Sequence, residues 1–247
     1  MVSLMNSTDI EIKKAEFEMP AFVWNEERQK EAEEWEKWEE IKIRNQLLSG
    51  AGLKGSHLKN TLNNFRVESD VQKRMLEYVI KFVNAVSDKD KDFMSLVFYG
   101  NPGSGKTHLA TAAVREVCLK VKNDIYGFNQ YFSAKYVRSE DIASEVKRAE
   151  SFAKEKKFQS AGEVAEYYGK QNLLVVDEVG RSQGNRNEGE LLFSVIDRLK
   201  ENRNSLILCT NYSWEELSEC LGTAAMSRLL SNALVCDTNG IKDYRLG

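Results

Sequence analysis

Hydrophobic and polar positions divide the chain into two regimes. From Asn25 to Leu48 charged residues dominate, and apolar ones recur at Ala32, Trp35, Trp38 and Ile41, three apart. That spacing predicts a helix with a narrow apolar stripe. Glu26/Lys30, Glu33/Lys37 and Glu40/Arg44 lie four apart with the acid first, the favourable order for helical ion pairs. Ser49-Gly50-Ala51-Gly52, and then Gly55, end the pattern.

Beyond this break, segments of two kinds alternate. Val71 to Val86 predicts a helix with Met75, Tyr78, Val79, Phe82, Val83 and Val86 on its apolar face. Phe93 to Tyr99 is a short unbroken apolar run, the mark of a strand buried on both faces. A helix is predicted over Leu109–Val121, a second strand within Asp124–Phe132 and a charged helix over Ser139–Lys157. Leu173–Val176 reads as a third strand, Glu190–Arg203 as a helix and Ser205–Thr210 as a fourth strand. Such alternation implies an α/β fold, a parallel sheet covered by helices on both faces. The expected organisation is a helical N-terminal arm over residues 1–52 and a core domain over residues 53–247.

Charge sharpens that division. The formal net charge is −3, but residues 1–50 carry −5, residues 51–170 carry +5 and residues 171–247 carry −3. An acidic arm before a mildly basic half-domain suits different partners for different segments. Trp35 and Trp38 on the acidic helix have two readings: they pack on the protein's own core, or they form a docking surface for another protein, where Trp is enriched. No apolar run is long enough for a membrane span, and Met1–Asp9 lacks the basic-then-apolar order of a signal peptide. Cys118, Cys209, Cys220 and Cys236 are scattered, which suits reduced thiols in a cytoplasmic protein.

The chemistry is concentrated at strand ends. Gly100-Asn101-Pro102-Gly103-Ser104-Gly105-Lys106-Thr107 follows the first strand and opens a helix. It fits the phosphate-binding loop G-x-x-x-x-G-K-[ST]. The glycines let backbone N–H groups turn toward phosphate oxygens, and the helix N-terminus adds its positive end. Lys106 supplies a point charge toward the β/γ-phosphates, and the Thr107 hydroxyl is a ligand for Mg²⁺. Leu173-Leu174-Val175-Val176-Asp177-Glu178 is a buried strand ending in two acids. In phosphate-loop enzymes the first acid holds Mg²⁺, here Asp177. The second, Glu178, can polarise the attacking water; a solvated strand end is the bland alternative. Asn211, at the tip of the fourth strand, either contacts the γ-phosphate or its water, or caps the strand. Arg228, in Met226-Ser227-Arg228-Leu229-Leu230, is by itself more usually a solvated charge than a functional one.

With these residues the chain resembles the AAA+ ATPases, and within them DnaC-type replicative-helicase loaders of bacteria and phages, over roughly residues 56–247. Gly105-Lys106-Thr107-His108-Leu109-Ala110 looks like the group's GKTHLA, which adds His108 to the nucleotide-binding set. Asp177-Glu178-Val179-Gly180 resembles its DE-[IV]-G, and Thr210-Asn211-Tyr212-Ser213 its sensor segment. Leu62 to Glu68 resembles the lead-in to the ATPase core, which makes Phe65 and Val67 candidate adenine contacts. The resemblance also implies that Arg228 is an arginine finger reaching the neighbouring subunit's γ-phosphate. Ser227 stands where the family usually has an acid, and an upstream arginine is missing. Asp243-Tyr244-Arg245 is similar to a terminal Ser-Tyr-Arg, so Arg245 is a candidate phosphate sensor. Only 19 residues follow Arg228, too few for the usual helical lid, as in DnaC-type loaders.

The resemblance implies ATP/ADP and Mg²⁺ as cofactors and an ATP-dependent homo-oligomer. It implies a hexameric DnaB-type helicase docked on the arm, and single-stranded DNA bound through the insert between the two ATP motifs. In that insert Lys135, Arg138, Lys147, Arg148, Lys154, Lys156 and Lys157 are interleaved with Tyr131, Phe132, Tyr136 and Phe152. This suits a single strand, or simply a solvated helix face. Two other functions fit the same motifs: a transposition helper ATPase of the IstB type acting on duplex DNA, and a non-catalytic adaptor holding ATP as a structural ligand.

Overall fold

A computed structural model describes residues 26–88, 92–120, 132–151, 155–180, 188–241 and 243. The described helices are α1 (Glu26–Gly50), α2 (Asp70–Val86), α3 (Lys106–Lys120), α4 (Ser139–Glu150), α5 (Ala161–Gly169), α6 (Glu188–Glu201) and α7 (Trp214–Leu229). The strands are β1 (Ser95–Tyr99), β2 (Ala134–Arg138), β3 (Leu173–Val179), β4 (Ser205–Thr210) and β5 (Ala233–Asp237). All pairings are parallel, in the order β2-β3-β4-β1-β5.

Successive side chains along a strand point to opposite faces, and here each face has its own core. Leu96 and Phe98 of β1 join Val175, Ile207 and the apolar face of α2 (Met75, Val79, Phe82, Val83) on one side. Val97, Leu174, Val176 and Leu208 join Ile142, Tyr168, Ile196 and Leu217 on the other. Each fully buried large apolar side chain contributes about 1.5–3 kcal/mol. An exposed ion pair of the kind read on α1 contributes only about 0.2–0.5 kcal/mol. The sheet and its two covered faces therefore carry the stability. This is the AAA+ phosphate-loop fold, a five-stranded parallel sheet flanked by helices among the described residues.

By contacts the chain divides into units 1–41 and 42–247, so the division falls inside α1. In the second unit Leu47 and Leu48 pack against the α2-side core, and Ala51 is fully buried. The Ala51 carbonyl accepts the Tyr136 N–H of edge strand β2 at 2.7 Å. In the first unit Trp38 is 57% exposed and Ile41 45% exposed. The side chains of Ala32 and Trp35 lie outside the described residues.

Several elements differ from the sequence expectations. Among the described residues a strand follows at Ala134–Arg138, where none was expected; of the strand expected within 124–132, residues 124–131 lie outside the described residues. An edge strand half covered by neighbours lacks the apolar run that marks a central one: in β2 the apolar Ala134, Tyr136 and Val137 are interrupted by Lys135 and closed by Arg138. The charged helix ends at Glu150, where the Ser151 N–H turns back to the Arg148 carbonyl. α5 is a separate helix capped by the Ser160 side chain. Also unforeseen were β5 and α7, the latter opened by a capping box between Ser213 and Glu216 and kinked at Gly222 (φ 73°).

Candidate functional site

The C-terminal ends of β1, β3 and β4 meet one cleft, the place where open parallel sheets bind ligands. It encloses about 590 Å³ and is walled by Asn64, Phe65, Arg66, Gly103 to His108, Asp177, Glu178, Thr210 and Asn211. Residues far apart in sequence converge here because β3 and β4 are adjacent to one another and β4 to β1.

The loop from Gly100 to Thr107 fits a polyphosphate on three counts. Gly100, Gly103 and Gly105 have φ of 108°, 73° and 94°, conformations that side chains other than glycine rarely adopt. A Cβ on Gly105 would lie 2.7 Å from Phe65 Cε2, and one on Gly103 would run into the Asp243 carboxylate. α3 starts at Lys106 and aims the N–H groups of its first turn into the cleft. Lys106 is buried; its ammonium donates to the carbonyls of Gly100 (2.8 Å) and Asn101 (2.6 Å). Gly105→Ala is therefore expected to cost about 1–2 kcal/mol in chemical unfolding, the penalty of a left-handed L-residue, and to weaken ATP binding in parallel.

Asp177 is almost fully buried and held by three donors. Its Oδ2 accepts the Thr107 hydroxyl (2.8 Å) and the Tyr136 hydroxyl (2.9 Å); its Oδ1 accepts the Glu178 N–H (2.8 Å). Burial first, and the Asp177 charge second, push Tyr136 far above its ordinary pKa, so it remains a hydroxyl donor. Thr107 and Asp177 form a hydroxyl–carboxylate pair of hard oxygens suited to Mg²⁺. Among the described residues no three His, Cys, Asp or Glu side chains gather as a ready-made metal cage. A cation here would complete its shell with phosphate oxygens and water, the habit of Mg²⁺.

Neighbouring strand residues normally face opposite sides, yet Asp177 and Glu178 both line the cleft. The register of β3 against β4 shifts between Val176 and Val179, and Glu178 adopts φ 56°. This local bulge re-aims the second carboxylate. Such strain costs on the order of 1–3 kcal/mol and concentrates at functional sites. Past it, the Thr210 hydroxyl donates to the Val179 carbonyl, and the Gly180 N–H and Ser139 hydroxyl converge on buried Glu188.

The other expected residues are distributed as follows. Asn211 is exposed and lines the cleft. Phe65 also lines it, its ring 5.5 Å from that of His108, whose Nε2 lies 2.9 Å from the Thr61 carbonyl. Val67 is 45% exposed and outside the cleft wall. Gly100, Asn101 and Pro102 form the approach to the loop rather than the wall. Tyr244 and Arg245 lie outside the described residues. Arg228 does not line the cleft. It ends α7, where its guanidinium donates to Asp197 of α6 and lies 4.6 Å from the Phe193 ring centre. An acid thus meets the arginine from another helix. Sequence reading missed Asn64, Arg66, Tyr136 and Thr210 as site residues; the first and last flank recognised motifs, whereas nothing local marks Tyr136.

Two of the four aromatic residues expected for DNA, Phe132 and Tyr136, are engaged elsewhere. Phe132 is buried in the α2-side core, and the Tyr136 hydroxyl is on Asp177. Lys147 and Arg148 on α4 are exposed, while Lys157 lies over the rings of Phe158 and Tyr167. Tyr131, Phe152 and Lys154 lie outside the described residues. All four thiols are free, and burial pushes Cys118 up to about 12. No helix among the described residues is long and apolar enough to cross a membrane.

Known proteins resemble this chain in sequence and in fold. The replicative helicase loader DnaC of Escherichia coli K12 is 28% identical over 188 residues, covering 74% of this chain and 69% of its own length. A protein of insertion sequence IS5376 from Geobacillus stearothermophilus, described as ATP-binding, is 31% identical over 158 residues, covering 62% and 55%. A crystal structure of the DnaC helicase loader superposes with a TM-score of 0.60 at 22% identity, covering 74% of this chain and 99% of that one. Residues 31–246 match the family described as IstB-like ATP binding protein, so this chain, with its phosphate loop and paired acids on an AAA+ sheet, belongs to that family of ATP-binding proteins.

Proposed function

We propose that this protein is an ATPase that loads a replicative helicase onto single-stranded DNA at the start of DNA replication. The observation that carries hydrolysis is Glu178, held by its strained backbone in the same cleft as the Thr107–Asp177 pair. An adaptor that merely held ATP would have no need of a second carboxylate at this point. In this reading Thr107 and Asp177 would hold Mg²⁺, which would supply charge neutralisation at the β/γ-phosphates. Lys106 exchanges its carbonyl partners for a phosphate oxygen. Glu178 accepts the proton of the attacking water, and Asn211 orients that water or the γ-phosphate. Phe65 and His108 flank the base.

Arg228 does not line its own cleft and so suits a finger acting on a neighbouring subunit, which requires a homo-oligomer. The exposed Trp38 and Ile41 on the acidic arm support a docking surface for a hexameric helicase. Exposed Lys147 and Arg148 support a path for single-stranded DNA.

A transposition helper is the second reading, favoured by the insertion-sequence relative. The loader reading is preferred because the match to the helicase loader extends over more of both chains. Affinity capture with the full-length protein tests the choice. The helicase should be retained, and deleting residues 1–41 should abolish retention while ATP binding survives. Capture of a transposase with indifference to helicase would sink the loader reading.

A further inference from the structure

Tyr136 belongs to no motif, yet it touches the centre of the site. On β2 it pairs with Val175 of β3. Val175 and Asp177 share a strand face because the period is two, so Tyr136 reaches the carboxylate diagonally. Its hydroxyl and that of Thr107 converge on the same oxygen, Asp177 Oδ2, at 2.9 and 2.8 Å. Tyr136 is itself fixed from the arm side. Its N–H donates to the Ala51 carbonyl, and the His57 ring stands edge-on against its own, centroids 4.8 Å apart.

We propose that Tyr136 is a positioning residue for Mg²⁺, holding Asp177 in the one rotamer that serves a cation at Thr107. A carboxylate offers about four acceptor positions. Tyr136, Thr107 and the Glu178 N–H fill three, which leaves one for a cation-bound water. Partners of this kind orient ligating groups, and their loss typically costs about 10- to 100-fold in metal affinity. Because Tyr136 is anchored to Ala51 and His57, the segment joining arm to core bears directly on the geometry of the site. The inference rests on the reading of Asp177 as the metal-side acid.

Equilibrium binding of ATP, titrated with Mg²⁺ and repeated in EDTA, tests it without reference to turnover. Tyr136→Phe keeps the ring and its packing and removes only the hydroxyl. The variant should need about 10-fold or more additional Mg²⁺ for half of the affinity gain, with binding in EDTA unchanged. An unaltered Mg²⁺ midpoint, or an equal loss in EDTA, overturns the assignment. Asp177→Asn separates the two levels: if it keeps the Mg²⁺ gain, the reading of Asp177 itself falls; if it loses the gain while Tyr136→Phe keeps it, only the Tyr136 assignment falls. Should Tyr136→Phe fold poorly, wild-type protein labelled with 3-fluorotyrosine carries the same test. The resonance of residue 136 should shift when Mg²⁺ joins ATP, and indifference to Mg²⁺ overturns the proposal.

Discussion

Replacing Glu178 by Gln lowers ATP turnover about 10²- to 10⁴-fold, the usual contribution of a positioned general base, and leaves ATP affinity within about two-fold. The amide matches the carboxylate in size and keeps the same φ 56° backbone, so strain and packing are common to both proteins. What disappears is a proton acceptor in the cleft. Single-turnover kinetics with a parallel binding titration checks this. Unchanged turnover would remove Glu178 from the chemistry.

Arg228→Ala is the second large effect. Within its own subunit Arg228 meets Asp197 and the Phe193 ring, and both it and Asp197 are about one-third exposed. Such an ion pair contributes about 0–1 kcal/mol, and a ring contact of this exposure about 0.5–1 kcal/mol, so the folded state loses little. A finger contributes about 10³- to 10⁵-fold in turnover, equivalent to about 4–7 kcal/mol. A fall of that size with normal melting and normal ATP binding cannot come from the lost local contacts. Mixing the two inactive variants, Arg228→Ala and Glu178→Gln, sharpens the test. Where they alternate, one cleft has an intact Glu178 facing an intact Arg228, so activity partly returns. If mixtures stay inactive, the arginine does not act between subunits.

The site was legible where chemistry is contiguous. The phosphate loop and the paired acids lie on short central strands whose apolar runs announce them, and both reach the cleft as expected. What was hidden arises from pairing between distant segments. Tyr136 meets Asp177 only because β2 lies in register with β3, and β2, at the edge of the described sheet, carries only a weak apolar signal. The bulge that turns Glu178 into the cleft leaves no mark in composition. Arg228 pairs with Asp197 on another helix, a contact invisible to a motif read along the chain. Val67, chosen from the same lead-in as Phe65, stays outside the cleft wall, whereas Phe65 packs against Gly105 of the loop.

The most direct measurement of the central claim is steady-state ATP hydrolysis by the full-length protein with Mg²⁺, alone and with single-stranded DNA, duplex DNA and the hexameric helicase. The account predicts hydrolysis raised by single-stranded DNA and by the helicase, and lost in Arg228→Ala at unchanged ATP binding. Turnover that answers to duplex DNA alone, with no effect of helicase, would contradict it and assign the protein to transposition.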